Sequence, residues 1–465
     1  VERLSGLDAS FLYLESRSQL MHIVGLIELD PDTVEGGYSF EKMRDVLDRR
    51  IAGLPTFRRK LRDSILNIDH PVWVEDRNFD IESHVHRVAV PPPGGRHELA
   101  DFCAHIAGVP LDRSKPLWEM WVIEGLADGK IAVLLRMHHA SVDGVSAADL
   151  LAKLCTITPD EPELDEEAMA QSAGDASLAG LAVDGALQVA RRPLSFARLL
   201  PKTAQVPFDW ISRARRNEAM PLPFRAPRTP FNKSITGHRS LAYTQVSLTD
   251  VKRIKDHFGV KINDVVLSVC AGALRSYLDD LGELPDQPLV AMVPVSVHGD
   301  NDDDLVTQGT NKVTGMFTKL ATDIADPIER ITTVGEQVRK SKEHHGSMDS
   351  NLFRGWAQFV PPATIGMAMR LYASQELADR HPVIYNLVIS NVAGPNLPMY
   401  YLGAKIEGMY PLGPVFHGAG MNITVFSLDG HLNVGVIACK ELVPDPWPLM
   451  QAFEDEVKAL LAACA

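Results

Sequence analysis

Cysteine is scarce and scattered. The chain of 465 residues holds five, at positions 103, 155, 270, 439 and 464, and none falls at C-x-x-C spacing. That excludes a disulfide scaffold, suits a reducing compartment and leaves the thiols as small buried apolar side chains. Apolar runs of 18 or more uncharged residues are missing, and the opening VERLSGLDASFLYLESRSQL has neither an arginine-rich leader nor an apolar signal core. Neither secretion nor a bilayer-spanning helix is therefore expected; the expected location is cytoplasmic, with peripheral contact at the inner membrane left open. Positive charge is also short. Lys and Arg total 46 against 60 Asp and Glu, a formal net charge of -14, which argues against nucleic acid as a partner. The sequence has no G-x-S-x-G nucleophile elbow, no H-E-x-x-H metal helix and no Walker-type glycine loop for phosphates.

What is present is an ordinary globular composition, 45% hydrophobic and 23% charged, on a chain long enough for two lobes. The first lobe, residues 1–157, reads as alternating strands and helices: MHIVGLIELD (21–30) and HVHRVAVP (84–91) as strands, SFEKMRDVLDRR (39–50) and HELADFCAHIAG (97–108) as helices. PLWEMWVIEGL and KIAVLLRMHHA follow as two strands joined at Asp128-Gly129, and AADLLAKLC as a helix. Residues 158–235 read as a charged crossover. Seven acidic residues and no basic ones fall in 160–175; ten Arg and Lys against two acids fall in 191–233, interleaved with Phe196, Phe208, Trp210, Phe224 and Phe231. Either this segment drapes over both lobes, or its arginines and aromatics face anionic lipid headgroups.

The second lobe, 236–465, opens with a strand at YTQVSLTD and a short helix at VKRIKDHFG, capped by Thr249 or Asp250. A long helix over 260–282, strands at LVAMVPVSV and VIYNLVISNV, a hairpin turned at Asp429-Gly430 and a closing helix complete it. NDDD reads as a solvent-facing loop, and Glu343 to Gly346 as a charged, turn-like stretch with a second histidine pair. The fold class is α/β, two lobes of mixed sheet and packed helices, with a cleft between them.

The chemistry concentrates in HHASVDG, residues 138–144, at the end of a strongly apolar strand. One neutral histidine can take a hydroxyl proton while a nearby carboxylate holds local backbone or charge in place. Adjacent residues at a strand end point to opposite faces, so only one of His138 and His139 can face a common cleft. The bland alternative is a packed histidine beside an exposed neighbour. H-H-x-x-x-D also offers three metal ligands, but without a thiol or a helical H-E-x-x-H no metal is expected. Asp143 is expected to act structurally, through a buried Arg or Lys or backbone amides, with Arg136 as one local partner. Asn263, at a helix start, is either an oxyanion donor or a cap or inter-lobe hydrogen bond; Asp264 pairs with a base or caps the helix. Trp118 and Trp121 line a channel or pack their strand.

Together PLWEMWVIEGL (116–126), RMHHASVDG, GLDASFLYLE (6–15), KINDVVLSVCAGALR (261–275) and ISNVAGP (389–395) resemble the bacterial wax ester synthase/diacylglycerol acyltransferase family, in its mycobacterial triacylglycerol synthase branch. The resemblance spans essentially the whole chain. The HHxxxDG element by itself is shared with peptide condensation domains and polyketide-associated acyltransferases. The resemblance implies two chloramphenicol acetyltransferase-like lobes with the active site at their interface. It also implies transfer of a long acyl group from acyl-CoA, the donor substrate, to diacylglycerol or a long-chain alcohol. No permanently bound cofactor is implied. His139 matches the catalytic histidine, His138 its neighbour, Asp143 the organising aspartate and Gly144 the close of the motif. Asn263 and Asp264 match the family's Asn-Asp pair, and Asn391 the late block, with Ser390 a further candidate donor. Ala393 stands where many members have proline, which weakens any inference about loop rigidity there. The competing functions are an acyltransferase fed by a carrier protein and a noncatalytic lipid-binding or lipid-droplet surface protein.

Overall fold

A computed structural model describes residues 2–63, 70–142, 153–159, 213, 216, 219–296, 313–346 and 362–464. Most of the crossover, residues 147–152 of the expected helix and the NDDD loop lie outside the described residues, and Cys155, the last residue of that expected helix, instead opens a strand. From the N-terminus come β1 (Glu2–Arg3), α1 (Gly6–Leu14), β2 (His22–Asp30), α2 (Phe40–Ile51), α3 (Pro55–Arg58), β3 (Arg59–Arg62) and β4 (Val72–Glu75). Then follow β5 (Val85–Ala89), α4 (Arg96–Ala107), β6 (Trp118–Glu124), β7 (Ile131–His138) and β8 (Cys155–Thr156). The second half supplies β9 (Arg239–Ser247), α5 (Leu248–Phe258), α6 (Ile262–Asp280), β10 (Val290–Ser296), β11 (Val313–Lys319), α7 (Pro327–Gly346) and α8 (Pro362–Ser374). It closes with β12 (Leu387–Val392), β13 (Tyr400–Tyr401), β14 (Ala404–Leu412), β15 (Met421–Leu428), β16 (His431–Cys439) and α9 (Trp447–Ala462).

These elements form two mixed sheets and a small antiparallel one. The first large sheet runs β5-β6-β7-β2-β14-β13-β8, the second β11-β10-β12-β15-β16-β9, and the small one β1-β4-β3. Residues 400–412 therefore enter the first sheet from far along the chain: Leu26 pairs with Tyr410 and Val24 with Leu412. From that position β14 also reaches the second sheet. The Met409 N–H donates to Asn433 Oδ1 at 3.4 Å, and Gln245 Nε2 donates to the Glu407 carbonyl at 3.1 Å. Glu28 of β2 accepts from the Tyr243 hydroxyl at 3.0 Å and the Tyr410 hydroxyl at 3.3 Å. One apolar cluster crosses this seam, joining Leu26, Leu134, Cys103, Leu241, Tyr410 and Ile437.

Local chemistry explains most boundaries. The hairpin β15–β16 turns at Asp429 and Gly430, both at positive φ (43° and 77°), the primed geometry that matches strand twist. Ser39 caps α2, its hydroxyl accepting from the Lys42 N–H at 3.2 Å. The cap of α5 is Ser247, not Thr249 or Asp250: its hydroxyl accepts from the Asp250 N–H, and the buried stripe Leu248, Val251 and Ile254 pulls the helix start forward. Glu343 to Gly346 are not a turn but the last residues of α7, where buried His344 accepts from the Met220 N–H at 2.9 Å. Four of the five cysteines are buried and all are free. Among the described residues no single helix is long and apolar enough to cross a membrane; the bent pair α5 and α6 meets the length and composition, but α6 is the buried centre of the second lobe.

Candidate active site

The central strand β7 is buried almost throughout and delivers the histidine pair to its C-terminal end. His138 is its last residue, opposite His22 of β2. The chain then tightens into a 3-10 turn, His139–Ser141, closed by the Ser141 hydroxyl donating to the His138 carbonyl at 2.7 Å. Leaving the strand separates the two rings. The His138 side chain is buried; its Nδ1 accepts from the Ala140 N–H at 3.0 Å and its Nε2 lies 3.0 Å from Glu15 Oε2. The His139 ring is half-buried and stacks on Phe11 of α1, centroids 4.0 Å apart, while the His139 backbone N–H donates to the Met21 carbonyl at 2.7 Å. Among the described residues its Nδ1 has no hydrogen-bond partner. Burial, reinforced by the neighbouring His138, pushes His139 down to about 4 from 6.5, so the ring is neutral at pH 7.

An acidic residue that sequence reasoning passed over sits under this pair. Glu15 ends α1, and its carboxylate meets His138, His22 (Nε2 at 3.6 Å), the Met21 N–H (3.2 Å) and Arg113 (2.8 Å). Burial alone would raise its pKa; the contact and charge of His138, with Arg113 and His22, outweigh that and hold it at about 2. The available signal was that Glu15 closes GLDASFLYLE, the first of the resemblance blocks.

The remaining expected residues divide. Asp143 and Gly144 lie outside the described residues. Arg136 donates to Glu119, its cross-strand neighbour, at 2.5 Å and to the Ile106 and Val109 carbonyls at the end of α4; Asp143, its expected partner, lies outside the described residues. Asp264 is a helix cap, accepting from the Lys261 N–H at 3.0 Å. Asn263 accepts from Asn391 Nδ2 at 3.4 Å, so the structure joins the Asn-Asp block to the late block. Ser390 lies on the other face of β12 from Asn391, with Val392, which packs toward the first lobe. Among the described residues no hydrogen bond joins these groups to His139. Trp118 is packed, its Nε1 donating to the Phe57 carbonyl at 2.9 Å, and Trp121 packs on His86 and Phe102.

Hydrogen bonds hold the late block with alanine at position 393. Exposed Ala393 precedes Gly394, whose N–H donates to the Ser427 hydroxyl at 3.0 Å, and the Gly430 N–H donates to Asn396 Oδ1 at 2.9 Å. The loop is thereby tied to the β15–β16 hairpin.

Comparison with known proteins settles the family. Residues 4–266 match the profile described as wax ester synthase/diacylglycerol acyltransferase catalytic domain, and residues 309–461 the C-terminal domain of the same family. The chain belongs to the wax ester synthase/diacylglycerol acyltransferase family. It is an O-acyltransferase by that membership. A provisionally named diacylglycerol O-acyltransferase of Mycobacterium tuberculosis (strain H37Rv) is 45% identical over 462 residues, 99% of this chain and 90% of that protein. Another from the same strain is 34% identical, covering 97% of both. Among solved structures, the wax ester synthase/diacylglycerol acyltransferase from Marinobacter aquaeolei VT8 superposes with a TM-score of 0.70 at 28% identity, each chain fully covered. The first condensation domain of the CDA synthetase superposes at 0.56 with 14% identity, covering 100% of this chain and 96% of that one, which is a likeness of fold alone.

Proposed function

We propose that this acyltransferase moves a long acyl group from acyl-CoA to the free hydroxyl of diacylglycerol, forming triacylglycerol and coenzyme A, and esterifies long-chain alcohols by the same route. The observation that carries the reading is a neutral, half-buried imidazole at His139, on the histidine turn of a chain that belongs to this family. The lobes take a chloramphenicol acetyltransferase-like arrangement, with the reaction at their interface. A free hydroxyl is a weak nucleophile. His139 takes its proton as the new C–O bond forms, help worth about 10²–10⁴-fold, and returns that proton to the departing thiolate. No acyl-enzyme is needed. Asn263 keeps its Nδ2 protons without a partner among the described residues, which suits donation to the tetrahedral oxyanion, with Ser390 as a second donor. By their match to the family motif, Asp143 is the organising aspartate and Gly144 the close of that motif.

Peripheral lipid contact fits the exposed apolar side chains. Leu222, Phe224, and Met367 and Leu371 of α8 are all exposed, and Phe224 sits edge-on to His381, whose ring meets Tyr372 of that helix. This gives the described end of the crossover a lipid-facing role, while Arg228 holds it down through the Asn232 and His381 carbonyls.

The deciding experiment gives purified protein a long-chain acyl-CoA with diacylglycerol or a fatty alcohol, follows coenzyme A release and identifies products by mass spectrometry. Triacylglycerol formation is expected. Turnover solely with an acyl carrier protein as donor, or binding of acyl-CoA with no release across the panel, defeats the proposal.

A further inference from the structure

The carboxylate beneath the histidines touches both residues that hold His139 in place. The His139 N–H donates to the Met21 carbonyl at 2.7 Å, and the Met21 N–H donates to Glu15 Oε2 at 3.2 Å. On the other side, the Ala140 N–H immediately after His139 donates to His138 Nδ1 at 3.0 Å, while His138 Nε2 faces the same Glu15 oxygen at 3.0 Å. A neutral imidazole carries one ring proton. If Nδ1 accepts from Ala140, that proton must sit on Nε2, where the Glu15 carboxylate at 3.0 Å favours it by charge, the contact being electrostatic and not an aligned hydrogen bond. The second Glu15 oxygen is held by Arg113, which also donates to the Leu12 carbonyl at 3.1 Å and so ties the acid to the end of α1. The Glu15 side chain is 8% exposed, so water offers little substitute.

We propose that Glu15 is a positioning residue for acyl transfer: it selects the Nε2–H tautomer of His138, and through His138 and Met21 it sets the turn that presents the His139 ring. This deepens the reading of His139 as base and rests on it. His22 lies within 3.6 Å of the same oxygen, but burial keeps it neutral, its pKa down at about 3, so it neither competes for the charge nor replaces His138. A carboxamide at position 15 keeps the shape, yet has one oxygen for three donors and presents N–H groups to the others.

The test combines a tautomer measurement with kinetics. Nitrogen-15 NMR of histidine-labelled protein, with His138 assigned by difference from His138→Asn, should show a bare Nδ1 and a protonated Nε2. Glu15→Gln should stay folded by thermal melt, lose that tautomer preference and lower kcat roughly 10²-fold, the cost of about an ångström of misplacement. Its KM for acyl-CoA should hardly move. Glu15→Asp should recover part of the loss, because it keeps the charge; a space-filling role would rank Gln above Asp. A protonated Nδ1 in the wild-type protein, or an unchanged kcat in folded Glu15→Gln, overturns the inference. Should Glu15→Gln fail to fold, the wild-type tautomer decides alone. Full turnover by folded His139→Ala would instead defeat the base assignment, whatever the tautomer of His138 proves to be.

Discussion

His22, His139 and His417 share one electrostatic situation: each is desolvated, and each is held neutral at pH 7. Burial takes them down from 6.5 to about 3, about 4 and about 4, with Arg239 adding to the effect at His417. Between about 4 and 6.5 the unfolded chain binds protons at these positions that the folded protein refuses, so stability rises with pH across that window. Glu15, held at about 2 against an ordinary 4.5, extends the loss of stability to lower pH in the same direction. The melting temperature is therefore expected to fall steadily as pH drops from 7 toward 4, and calorimetry at a series of pH values checks it. While the protein stays folded, the acid limb of kcat should lie well below 6.5; a limb at 6.5 would show the His139 ring to be solvated. His139→Ala is expected to cost about 10²–10⁴-fold in coenzyme A release with little change in melting temperature.

Elements hold these residues through contacts that short-range patterns do not encode. The pattern of apolar residues located β2, β6, β7, α2, α4, α6 and α9 within a few positions, because β7 and α6 are nearly continuous apolar runs and the others each bury one regular face. Missed pieces had other reasons for existing. Glu343 to Gly346 look polar enough for a turn, yet His344 is buried through its bond to the Met220 N–H, and the helix continues to cover it. Likewise the bonds of Arg136 to Glu119 and to the carbonyls at the end of α4 join groups 17 to 30 residues away, which no local pattern announces. In the late block the decisive residue is Gly394: a Cβ there would press on the Ser427 carbonyl oxygen and the Phe426 ring. Gly394→Ala should destabilise by roughly 1–3 kcal/mol as the loop lifts from the hairpin, measured by chemical denaturation. Ala393→Pro, at an exposed position, offers the comparison for the same loop.

Across the whole molecule, the seam between sheets is built by a strand taken from late in the chain. β14 pairs along the length of β2, whose other neighbour is β7, so the histidine strand is two strands from a segment that follows it by more than 260 residues. Without β14 the backbone of β2 becomes an open, apolar edge, the kind of edge that recruits other chains. A fragment ending at residue 235 is accordingly expected to aggregate, and co-expression with the fragment 236–465 should return soluble complex on size-exclusion chromatography. A monomeric, folded N-terminal fragment would contradict this account of the seam.

From the sequence alone came the family, the two-lobe α/β class and the turn proposed to carry the chemistry, since ordered blocks, apolar period and a histidine pair after a buried strand are local patterns. Only the tertiary structure could find Glu15 beneath His138, commit Arg136 to Glu119, join Asn263 to Asn391 and thread residues 400–412 into the first sheet. Each of those depends on which distant groups meet when water is excluded, and burial, more than residue type, then decides which of them carries charge.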